Sequence, residues 1–125
     1  MISSLLLRVS VALLVLGMCL GIGMGIKQDF RLAPAHAHLN LVGFMLPFVA
    51  GLYYRAVPQG GQGALATTQA WLAIIGGVLF PLGIAAVTGI GPQYEVLAIG
   101  GSLIVFVAAL LFAVIVFRTA GAARA

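Results

Sequence analysis

The chain has 125 residues, of which 63% are hydrophobic and only 6% charged, with a mean hydropathy of +1.24. A soluble domain carries about a quarter of its residues as charges, so this composition excludes one and points to an integral membrane protein. The net charge of +4 and pI near 10.0 rest on six basic residues spread through apolar sequence, which fits membrane topology and not nucleic-acid binding.

A spanning helix needs about 20 apolar residues. The uncharged runs give four spans, at about residues 5–26, 34–55, 66–88 and 94–117, with "AVPQGGQGALA" as the turn before the third. The expected fold is all-α, one domain over residues 1–125, an integral membrane four-helix bundle. Arg8, Arg55, Arg118 and Arg124 fall on one side of this arrangement, and Lys27 and Arg31, diluted by Asp29 and Glu95, on the other. The positive-inside rule then places both termini in the cytoplasm and the two histidines of the second span near the outer face.

The first span carries Gly17, Gly21 and Gly25 at four-residue spacing. Such a row lets another backbone approach closely in lipid, or leaves a groove for a flat ligand such as a porphyrin. Cys19, the single cysteine, lies in the same span and is expected to be a small buried packing residue.

The second span opens with Pro34, suited to a first helical turn, and then presents the only two histidines, His36 and His38. Two positions apart on a helix, they point about 160° away from each other and do not ligate one ion together. His36 shares a face with Asn40 and Gly43, His38 with Leu41, Val42 and Met45, and Gly43 with Pro47 permits a bend. Tyr53, Tyr54 and Arg55 are expected to form an interfacial aromatic belt with a snorkelling charge.

The third span has Trp71 as an anchor, Gln69 near the same border, and Gly76, Gly77, Pro81 and Gly83. The fourth opens at Glu95, and its Gly100 and Gly101 reach the depth of His38, leaving space beside an imidazole. No phosphate loop, dinucleotide fingerprint, zinc-spaced Cys/His set or nucleophile triad is present. Two carboxylates are too few for paired acid–base chemistry.

The segment "AHLNLVGFMLPFVAGLYYRAVP", residues 37–58, resembles the second transmembrane helix of the catalytic subunit of haem-copper oxidases, particularly the nitric oxide reductases and C-type oxidases. By hydropathy and loop pattern, the whole chain is similar to short four-span bacterial proteins of the subunit I-like kind. The resemblance implies a bacterial plasma-membrane protein that binds haem b, with His38 as axial ligand. Two histidines are too few for an oxidase or nitric oxide reductase active site, so an electron-transfer or redox- or gas-sensing role is implied in place of catalysis.

Three sources of a sixth ligand stand open: His38 of a second protomer in a homodimer, Met24 at the end of the first span, or none. His36 and Asn40 then support the site, and Arg31 either pairs with the haem propionates or is a solvated loop charge. Two further readings compete. One is copper binding through His36, His38, Cys19, Met18, Met24 and Met45; the other is a non-catalytic subunit or assembly factor of a respiratory complex.

Overall fold

The computed structural model describes residues 1–121, which form four long helices and, among the described residues, no strand. They are α1 (Ile2–Lys27), α2 (Ala33–Ala56), α3 (Gly63–Gly89) and α4 (Glu95–Thr119), each long and apolar enough to cross a membrane. The predicted spans are reproduced to within about three residues at each end. Arg124, used in the charge argument, lies outside the described residues.

Chain ends of the helices follow local chemistry. α1 stops at Gln28, a non-glycine residue in the left-handed region at φ 52°. Its backbone N–H reaches the Met24 carbonyl, and its side-chain amide donates to the Gly25 carbonyl at 2.7 Å. Two carbonyls freed by the helix end are thereby satisfied.

α2 begins at Ala33 with Pro34 in its first turn, where the missing N–H leaves nothing unpaired. From Leu39 to Met45 the helix widens into a π segment, and the Leu46 N–H bonds five residues back to Leu41. Pro47 explains the location: it has no N–H to offer, and its ring would crowd the carbonyl four residues earlier. The bend expected at Gly43 and Pro47 is therefore a local widening, of the kind often found at functional positions.

Close backbone approach sets the packing. A Cβ built on Gly76 would lie 2.9 Å from the Val105 nitrogen, and one on Gly101 would lie 2.6 Å from the Phe80 nitrogen. Gly83 likewise abuts Leu97 and Ala98 backbone. These pairs keep one register, so α3 and α4 form a tight antiparallel hairpin. α2 crosses α3 at Gly43 and Gly77, where a Cβ on Gly77 would lie 2.7 Å from the Val42 oxygen. Without a hydrophobic force between helices in lipid, this density of contact holds the bundle together.

The buried core lies at the end carrying the chain termini: Leu6, Ala50, Tyr54, Ala66, Ala70 and Ile115 pack together there. Arg55 donates to the Ser4 hydroxyl at 3.0 Å, and Tyr53 and Thr119 share a 2.8 Å hydrogen bond, so three helix ends are tied. At the opposite end, where α1 turns into α2, the packing opens. Exposed side chains such as Leu103, Phe106, Leu110 and Phe117 on α4 are suited to lipid contact.

Candidate functional site

The histidines leave α2 in different directions, as their spacing predicts. His36 turns onto α1: its Nδ1 lies 2.8 Å from the Gly17 carbonyl oxygen, and a Cβ on Gly21 would stand 2.8 Å from its Cε1. Asn40, one turn on, covers Gly17, and its buried Oδ1 has no hydrogen-bond partner among the described residues. Gly17 and Gly21 are therefore sockets for Asn40 and His36, and the groove for a flat ligand along these two glycines is filled. Gly25 meets nothing and stands open.

His38 turns onto α3. Its Nδ1 lies 2.8 Å from the Pro34 carbonyl oxygen, and its ring meets Phe80 edge-on at 4.9 Å between centroids. A carbonyl oxygen only accepts, so each imidazole, when neutral, carries its proton on Nδ1 and keeps the lone pair on Nε2. Among the described residues neither Nε2 has a hydrogen-bond partner. An imidazole oriented by an Nδ1–H bond to a backbone carbonyl, with Nε2 free, is the form that binds metals.

The space expected beside His38 from Gly100 and Gly101 is arranged differently. Gly101 is pressed against the Phe80 backbone, whose ring occupies the place beside the imidazole; Gly100 meets nothing within 4 Å.

Met24 and Arg31 belong to another feature. They line a cleft of about 440 Å³ at the α1–α2 turn, together with Cys19, Lys27 and Asp29, and neither imidazole contributes to its lining. Cys19 is exposed here, correcting the expectation of a buried packing residue. Arg31 is held by Asp29, Nη2 to Oδ2 at 2.7 Å and Nε to Oδ1 at 3.1 Å. The hydrogen bonds from Arg31 hold the Asp29 carboxyl below its ordinary range, and Asp29 raises the Arg31 guanidinium in return. Arg31 is thus an exposed, paired loop charge.

Among the described residues no group of three or more His, Cys, Asp or Glu side chains gathers as a metal would require. The expected haem set of His38, His36, Asn40, Arg31 and Met24 is accordingly divided between the α1 face, the α3 face and the cleft.

Sequence reasoning missed a polar pair in the core. Tyr54 is 3% exposed and donates to Gln69 Oε1 at 2.7 Å; Gln69, 0% exposed, reaches the Ala108 carbonyl at 3.4 Å. Tyr54 is consequently a core residue and not part of an interfacial belt, and Gln69 joins three helices. The available signal was an amide one helical turn inside an otherwise apolar span. Trp71, by contrast, is exposed as an anchor should be.

Searched against protein-family models, curated proteins and solved structures, the chain matches none. The class that the fold defines is a multi-pass, all-α membrane protein with four spans.

Proposed function

We propose that this chain is a small b-type haem protein of the bacterial plasma membrane, with both termini cytoplasmic, that carries electrons or senses redox state or a gas. His38 would hold the haem iron through Nε2, and His38 of a second protomer would supply the matching ligand. The observation that supports this reading is the orientation of His38: the Pro34 carbonyl fixes Nδ1 and leaves Nε2 with its lone pair.

The residues offer one oriented ring nitrogen that would hold the iron, that of His38; His36 turns onto α1, and Met24 lines the cleft, to which neither imidazole contributes. Haem, when bound, supplies a one-electron iron couple. The protein's part is to orient the imidazole against Phe80 and to raise its basicity through the carbonyl bond.

The test is the visible spectrum of protein purified in mild detergent, oxidised and then dithionite-reduced. Sharp reduced α and β bands, lost in His38→Ala and retained in His36→Ala, are expected. A full band in His38→Ala would end the proposal.

A second reading, a non-catalytic subunit or assembly factor of a respiratory complex, is favoured by a different observation. His36 and Asn40 fill the Gly17–Gly21 row, which gives one histidine a packing role between α1 and α2. A colourless preparation, still colourless after hemin addition, that co-purifies with a larger oxidase would decide for it. Copper without haem absorption would decide for the copper reading.

A further inference from the structure

We infer that the cleft at the α1–α2 turn binds an anionic phospholipid, with the headgroup at Lys27 and Arg31 and one acyl chain running down the face of α1. This is independent of haem binding.

Three properties of the cleft select such a ligand. Its volume is about 440 Å³, and along α1 it extends from Lys27 down to Cys19. Eight residues at 1.5 Å each make this about 12 Å, most of the roughly 15 Å half-thickness of a bilayer's hydrocarbon core. A headgroup at the mouth thus leaves its chain in a slot of matching depth.

Polarity is graded along the slot. The deeper wall is Leu20, Gly23 and Met24, whereas the charged groups Lys27, Asp29 and Arg31 are at the mouth, beside the loop. A purely polar ion would leave the apolar wall uncovered, and a purely apolar ligand would leave the charges without a counterpart. The ligand class is an amphiphile.

Charge selects its sign. Two cations and one carboxylate line the mouth. Asp29 is engaged by Arg31, and among the described residues Lys27 has no ion pair. Arg31 commits Nε and Nη2 to Asp29 and keeps Nη1 free for a phosphate oxygen. The mouth carries a net single positive charge, with Lys27 from the end of α1 and Arg31 from the following loop, at the membrane border where lipid headgroups lie.

Gly23 provides a variant that tests the site and spares the fold. A Cβ at this position meets nothing within 4 Å, so Gly23→Leu starts a side chain into open space on the wall of the slot. The experiment uses the full chain in mild detergent, given phosphatidylglycerol or phosphatidylcholine of identical acyl chains, with retained lipid counted by native mass spectrometry. Alkylation of Cys19, the only thiol, is followed in parallel at the deep end of the slot.

The expected result is one phosphatidylglycerol retained in preference to phosphatidylcholine. Lys27→Gln should weaken retention about fivefold, as loss of one interfacial cation implies. Gly23→Leu should abolish retention at unchanged thermal stability, and phosphatidylglycerol should slow Cys19 alkylation in the wild type. Equal retention of both lipids, or undiminished phosphatidylglycerol retention in Gly23→Leu, overturns the inference. So does a haem band that Gly23→Leu bleaches while lipid retention stays intact, which would assign the slot to the pigment.

Discussion

His36 Nδ1 bonds the Gly17 carbonyl across the α1–α2 contact at 2.8 Å while the same ring rests on Gly21. One imidazole thus makes both a polar and a steric contact with α1. Gly21→Ala places a methyl 2.8 Å from His36 Cε1, and because the ring is tethered by its Gly17 bond it has little freedom to retreat. The expected cost is about 1–3 kcal/mol, typical of overpacking. In a His36→Ala background the same substitution should cost almost nothing. Thermal unfolding in detergent of the two single variants and the double variant measures the coupling; simple additivity would show that the ring does not seat on Gly21.

Tyr54 and Gln69 form a second coupled pair, at the opposite end of the bundle. Tyr54→Phe leaves the buried Gln69 Oε1 without its 2.7 Å donor, a loss of about 1–3 kcal/mol where the group stays desolvated. Interhelical hydrogen bonds in membranes average about 0.6 kcal/mol in double-mutant cycles, so the lower part of the range is expected. Gln69→Leu removes the acceptor itself, and Tyr54→Phe should then be nearly neutral. The check is the pairwise coupling energy from unfolding of all four proteins.

The sequence made the four spans legible because each uncharged run is long enough to cross a bilayer and each break carries turn chemistry. The opposed directions of His36 and His38 follow from helical geometry alone, and so does the shared face of His36 and Asn40, which both meet α1. What remained hidden depends on which helix stands opposite. Nothing in the spacing of Gly17 and Gly21 says that an imidazole and an amide from α2 fill them. Tyr54 reads as a belt residue until Gln69 of α3 is placed beside it, and Cys19 reads as buried until the cleft opens next to it. The π segment was foreshadowed by Gly43 and Pro47, yet a proline is compatible with a kink as well as a widening.

Glycine substitutions should separate two populations that look alike in sequence. Gly77 faces the Val42 oxygen and the Gly43 Cα at 2.7 and 3.1 Å from an added Cβ. These are backbone atoms that cannot swing aside, so Gly77→Ala should force α2 from α3 and destabilise by about 1–3 kcal/mol. Gly100 meets nothing within 4 Å, and Gly100→Ala should be neutral or stabilising by up to about 1 kcal/mol through helix propensity. Unfolding midpoints of the two variants in one detergent test the contrast; equal effects would contradict the crossing of α2 and α3 at Gly43 and Gly77.

Asp29 and Arg31 make the loop's response to acid predictable. The hydrogen bonds from Arg31 lower the Asp29 pKa below the ordinary value of 3.8, with a small further contribution from Lys27. A carboxyl whose folded pKa is depressed adds stability above its unfolded value, and that contribution is lost as pH falls through the folded value. The ion pair should therefore persist through pH 4 and open only in stronger acid. Both side chains are exposed, so the change is confined to the loop, with little effect on the stability of the bundle. Carboxyl carbon NMR of Asp29 should give a midpoint below 3.8 in the wild type. Arg31→Gln should move it upward toward the ordinary value, and an unchanged midpoint in that variant would show that the guanidinium does not hold the carboxylate.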